Sequence, residues 1–235
     1  MARNWAIAVG IDKYEYLQSL QFARRDAECL RDWCQEAGFE KVHFFAAGAA
    51  EIAMDNDEPL KAEPVYTGLR YFLRRNFERR QLEAADSLWF FFSGHGARID
   101  GRDYLLPSDG NPEPGEVMAT ALEVGWVKEQ LRRSGAGNVV LVLDACRNAL
   151  RKDGLGVNPQ AERGIVTITS CRPEEYSYEC PELQRGVFSY ALLEGLRVQG
   201  EGNCATVERL ERYLRERVPE LAQQYGKQNP WVEVV

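Results

Sequence analysis

The chain of 235 residues has little of what metal, nucleotide or nucleic-acid chemistry asks for. Only two histidines are present, His43 and His95, and the six cysteines at 29, 34, 146, 171, 180 and 204 show no CxxC or Cys/His spacing of a structural zinc site. Each cysteine therefore reads as a free thiol in a reducing compartment. There is no GxGxxG and no P-loop, which excludes dinucleotide and nucleoside-triphosphate readings, and no GxSxG elbow, which excludes a serine hydrolase of that type. Positive charge is in the minority, with 29 Lys plus Arg against 36 Asp plus Glu, so nucleic acid is not an expected partner. The apolar run at the N-terminus ends at Asp12, too short for a signal sequence or a membrane span, so a cytoplasmic chain with no membrane partner is expected.

What is present is a series of short, continuous apolar runs: residues 5–11 (WAIAVGI), 88–92 (LWFFF), 139–143 (VVLVL) and 165–169 (IVTIT). Runs of β-branched and aromatic residues without alternation are those of strands covered on both faces, the habit of parallel sheets. A fifth strand is expected over 41–46 and a sixth from the terminal WVEVV. Helical patterns occupy 22–37, about 66–80, 122–133, 187–197 and 206–223, so strand and helix alternate. The expected class is α/β, with a mostly parallel six-stranded sheet flanked by helices. Two stretches read as exposed loops, 47–64 and 148–163, the second Gly-rich and basic at its start.

In open parallel sheets, sites form beyond the carboxyl ends of strands. LWFFF is followed by Ser93-Gly94-His95-Gly96, and VVLVL by Asp144-Ala145-Cys146-Arg147. A lone buried cysteine or a hydrogen-bonded histidine is the ordinary reading of either residue. Their shared placement after two buried strands reverses that: neighbouring strands would bring a thiol and an imidazole to one rim, the minimum for acyl transfer. The thiolate is the nucleophile, and the imidazole moves the proton. The amides of Gly96 and Cys146 are the natural donors to the oxyanion. His43, inside a strand, reads as structural, and Cys171 lacks a histidine of its own.

At these residues the chain resembles the caspase-like cysteine peptidases, in particular the bacterial metacaspase and orthocaspase relatives. The caspase signature places a histidine about 50 residues before the Ala-Cys pair, and His95 lies 51 positions before Cys146. WAIAVGIDKY, LQFARRDAECL and GVFSYALLEGL resemble the opening strand, the first helix and the helix of the small-subunit half. The resemblance implies a caspase-like three-layer sandwich, large-subunit-like over 1–150 and small-subunit-like over 164–235, with a linker at about 148–163. It also implies an acidic specificity pocket, carried onto Asp26, Ser93 and Asp144. Asp26 by itself would read as a solvated helix face. Arg147 and Asn148 depart from the family's residues. The calcium loop of metacaspases is shortened to DGRDYLLPSDG, leaving Asp103 and Asp109 as the weak metal candidates; no cofactor and no resident metal are expected.

Two functions remain open at this point. The first is a cysteine endopeptidase that cuts proteins or peptides after Arg or Lys by a Cys146–His95 dyad, with Arg151, Lys152 and Arg163 as candidate self-cleavage positions. The second is a caspase-like domain kept as a scaffold or binding module. The chain stops on an apolar run, so a further C-terminal domain is expected.

Overall fold

A computed structural model describes residues 2–54, 58–113, 115–145, 164–198 and 206–233. In chain order the elements are β1 (Asn4–Gly10), α1 (Ala23–Glu36), β2 (Lys41–Phe45), α2 (Tyr66–Asn76), β3 (Ser87–Ser93), β4 (Gly96–Ile99) and β5 (Arg102–Leu105). They continue with α3 (Val117–Thr120), β6 (Leu122–Glu123), α4 (Val124–Arg133), β7 (Asn138–Asp144), β8 (Ile165–Thr169), β9 (Glu179–Cys180), β10 (Arg185–Gly186), α5 (Val187–Val198), α6 (Val207–Ala222) and β11 (Trp231–Glu233).

Six strands form the central sheet in the order β11-β8-β7-β3-β1-β2. All pairings are parallel except that of β11 with β8. The continuous apolar runs are explained by the two faces of this sheet, because successive side chains point to opposite sides. Trp5, Ile7, Val9, Leu88, Phe90, Phe92, Val139, Leu141 and Leu143 join one core with Leu69, Phe72 and Leu73 of α2 and Val127 and Leu131 of α4. Ala6, Ala8, Phe91, Val142 and Ile168 join the other, with Ala27, Leu30 and Cys34 of α1, residues of α5, and Leu210, Leu214 and Val218 of α6. The result is three layers, helix on sheet on helix.

Two small sheets were not expected from the sequence. β4, β5 and β6 form an antiparallel sheet whose first turn is Asp100-Gly101, both with positive φ, the conformation a two-residue hairpin requires. The acidic DGRD stretch is thus a hairpin. Asp103 pairs with Arg98 directly opposite it, at 3.6 Å, while Asp109 accepts the amide of Tyr66 at the start of α2, at 2.7 Å. The pattern over 122–133 divides, Leu122 and Glu123 being strand and the helix beginning at Val124. β9 and β10 form a second hairpin beside α1.

Candidate active site

The strand register sets the site. Gly10, Ser93 and Asp144 lie side by side at the carboxyl ends of β1, β3 and β7, and the Gly94 amide donates to the Asp144 carbonyl at 3.1 Å. His95 follows Ser93 by two residues, as Cys146 follows Asp144 in the sequence. Cys146, with the candidate cleavage positions Arg151, Lys152 and Arg163, lies outside the described residues. Gly96 is buried and opens β4, opposite Leu105.

Asp26 reaches this rim because residue 10 is glycine. A Cβ there would lie 2.6 Å from the Ala23 carbonyl oxygen and 2.7 Å from Ala27 Cβ, so only glycine lets the first turn of α1 settle on β1. Asp26 shares the buried face of α1 with Ala23, Ala27, Leu30 and Cys34 and is 1% exposed, against the solvated-face reading of its local sequence.

His95 is held from two directions. Its amide donates to the hydroxyl of Tyr14 at 2.8 Å, and that ring lies 4.7 Å from the imidazole. Nε2 lies 2.8 Å from the carbonyl oxygen of Gln18. A carbonyl can only accept, so Nε2 carries the proton of the neutral ring and Nδ1 keeps the lone pair. Burial holds the imidazole pKa below 6.5, although the Gln18 carbonyl works the other way. His43, the second histidine, packs edge-on against Phe72 in β2.

A cavity of about 70 Å³ joins these parts, lined among others by His95, Ser93, Asp26, Asp144, Ser177 and Glu179. Larger hollows lie elsewhere, one of about 460 Å³ beside Trp33 and Trp89 and one of about 640 Å³ along β2, but neither is lined by His95 or by the carboxyl ends of β3 and β7. The small cavity is the one lined by His95 together with Asp26 and Asp144.

Both aspartates are satisfied by the protein itself. Asp144 accepts from Ser177 at 2.6 Å through Oδ1 and from Ser189 at 2.5 Å through Oδ2. Ser177 in turn accepts from Gln228 Nε2 at 3.0 Å, which directs the serine's own proton to Asp144. Asp26 accepts from Arg185 Nε at 2.5 Å and from the Gly186 amide at 2.9 Å. Burial raises the pKa of both carboxyl groups, and the Asp144 charge raises that of Asp26 further. Arg185, 11% exposed at its side chain, offsets part of that cost.

The sequence reading brought together His95, Ser93, Asp26 and Asp144, which the structure collects around one cavity. It missed Tyr14, Gln18, Ser177, Glu179, Arg185, Gly186 and Ser189. Gln18 and Gly186 act through backbone atoms, which no residue type announces; Tyr14 and Ser189 lie inside stretches already recognised as strand and helix, where nothing local marks them as site residues, and Ser177, Glu179 and Arg185 lie in a stretch with no pattern of its own.

Comparison with known proteins adds the family. A family model described as the caspase domain matches residues 3–235. A paracaspase of Dictyostelium discoideum is 26% identical over 125 residues, a match that takes in 50% of this chain and 28% of that protein. The chain therefore aligns with under a third of that relative's length. Among solved structures, caspase-1 of Spodoptera frugiperda is similar with a TM-score of 0.67 at 17% identity, over 99% of this chain and 86% of that one. A protein of Geobacter sulfurreducens gives 0.64 at 14% identity, over 99% and 94%. The three-layer fold that the sequence implied is the one these structures share.

Proposed function

The chain belongs to the caspase-domain family, and from that premise we propose that it is a cysteine endopeptidase cutting proteins or peptides after Arg or Lys, with Cys146 as nucleophile and His95 as base. The observation that carries this reading is one cavity lined by His95 and by three carboxylates, Asp26, Asp144 and Glu179. Burial holds the pKa of all three carboxyl groups above the ordinary value, and a substrate guanidinium or ammonium would stabilise their ionised form in a way that one arginine does not complete.

In this reading the neutral His95 takes the Cys146 thiol proton on Nδ1, the nitrogen left free by the Gln18 carbonyl. The thiolate attacks the carbonyl carbon of the bond to be cut, the amides of Gly96 and Cys146 donate to the oxyanion, and the imidazolium returns its proton to the departing amine. Water then hydrolyses the acyl-enzyme. Asp144, with both oxygens oriented by serines, and Asp26 recognise the basic side chain. No step draws on a metal.

Two observations favour the second reading, a scaffold module: Asp26 already holds Arg185, and the cavity is small. Hydrolysis of fluorogenic peptides ending in Arg, Lys or Asp decides between them. Cleavage after Arg and Lys, lost in both Cys146→Ala and His95→Ala while the folding transition is kept, is the expected result. Efficient cleavage after Asp would remove the acidic-pocket assignment, and no cleavage at all would leave the scaffold.

A further inference from the structure

The carbonyl that orients His95 belongs to a segment anchored by Tyr14, packed against two apolar clusters, and by Leu17, but exposed beyond them. Gln18 and Ser19 are exposed, and between Ile11 and α1 the chain has no regular structure. Glu15 is tied to Ser108, its amide donating to that carbonyl at 2.9 Å, and Leu17 packs against the cluster formed by Ala97, Tyr104 and Leu106. Beyond Gln18, Leu20 donates back to the carbonyl of Asp12 within the same segment, at 2.8 Å. The next residues are held from far away: Glu179 Oε1 accepts the amides of Gln21 at 2.9 Å and Phe22 at 2.7 Å. From Gln18 to Gln21, where no residue is buried, the chain keeps its shape through such bonds.

The start of α1 shows why a remote residue is needed. Its N-cap position is Phe22, which makes no side-chain cap. Ser, Thr, Asp or Asn would supply an acceptor locally, and phenylalanine cannot. Two carboxylates from elsewhere stand in: Asp12 Oδ1 takes the amide of Arg24 at 2.8 Å, and Glu179 takes the two amides before the helix. Their negative charge also suits the positive end of the helix.

We propose that Glu179 is the positioning residue of His95: by holding the amides of Gln21 and Phe22 it fixes the segment whose Gln18 carbonyl orients the imidazole. The same carboxylate lines the cavity that faces the substrate, so the wall of the pocket and the orientation of the base are set by one side chain. Its place in a peptidase cycle rests on the function proposed above, whereas the effect on the imidazole does not.

Two conservative variants separate reach from charge. Glu179→Gln keeps an acceptor at the same distance and loses the charge. Glu179→Asp keeps the charge but is shorter by one carbon–carbon bond, about 1.5 Å, which takes it out of hydrogen-bond range of both amides. The readout is the titration of His95 by nitrogen–proton NMR, its resonance identified among the two histidines by its loss in His95→Ala. Without the Gln18 carbonyl the protonated ring loses a partner, so in Glu179→Asp the His95 pKa falls by about half a unit or more, while Glu179→Gln stays close to the wild type. On Arg-ended peptides Glu179→Asp lowers kcat about tenfold or more, and Glu179→Gln acts mainly on KM. A His95 titration unchanged in Glu179→Asp, or displaced equally in both variants, overturns the proposal. Absence of peptide cleavage by the wild type, with the titration moved as stated, supports the positioning role and removes the peptidase reading alone.

Discussion

The carboxylates of Asp26 and Asp144 both come against Gly186: a methyl group at that position would lie 2.8 Å from Asp26 Oδ2 and 2.9 Å from Asp144 Oδ2. The two residues are far apart in the sequence, on α1 and at the end of β7. Their meeting point is the backbone of β10, whose amide donates to Asp26. The acidic wall of the cavity is therefore assembled by the hairpin of β9 and β10, and its failure modes follow from that.

Gly186→Ala places a carbon inside the contact distance of both oxygens, so either the hairpin or the carboxylates must shift. A loss of about 1–3 kcal/mol, the usual cost of overpacking, is expected in urea unfolding. Cleavage after Arg should fall far more than the loss of folded protein explains. An Ala variant with wild-type activity and stability would mean that the hairpin does not sit against the two aspartates in solution.

Arg185→Gln separates stability from recognition. Breaking a buried ion pair by removing one partner costs about 3–5 kcal/mol, because Asp26 is left without its cation. The same change removes the positive charge beside the cavity, so KM for Arg-ended peptides should fall in whatever protein remains folded. Thermal unfolding and peptide kinetics measured on the same sample check both signs. A rise in KM would mean that Arg185 orders Asp26 for the substrate and does not compete with it.

The pH dependence of activity should have two acid limbs. His95 must be neutral to accept a proton, and its pKa lies below 6.5, so kcat falls only as pH drops through that lowered value. Asp26 and Asp144 have pKa values raised above 3.8, chiefly by burial, so the pocket gains negative charge as pH rises through those raised values. For peptides ending in Arg, KM should therefore improve over that second window. A peptide with a neutral residue in its place should show the His95 limb alone. Identical profiles for the two peptides would show that the aspartates do not contact the basic side chain.

Self-cleavage is expected after Arg151 or Lys152, and less readily after Arg163, because the stretch contains Gly154, Gly156 and Pro159 and carries the residues that the pocket should prefer. Intact-mass analysis of wild type beside Cys146→Ala reads this directly. Fragments ending at those positions should appear in the wild type only. A single intact chain in both, under conditions where peptides are hydrolysed, would show that activity needs no cut.

By itself the sequence determined the fold and the rim on which the site is built. Runs such as LWFFF and VVLVL are apolar at every position because both faces of those strands are covered, and their ends are marked by Ser93-Gly94-His95 and Asp144-Ala145-Cys146. That information is local: a few consecutive residues and their period. The hairpin at Asp100-Gly101 is equally local, in a stretch that the family resemblance presents as a shortened calcium loop, with no resident metal expected. What only the tertiary structure decided is how the pocket's groups are held. The placement of Asp26 depends on the missing side chain of Gly10, the orientation of Asp144 on Ser177 and Ser189, and the tautomer of His95 on the Gln18 carbonyl. Each pairs a side chain with an atom many positions away, often a backbone atom that every residue possesses, so no residue type or spacing could have announced it.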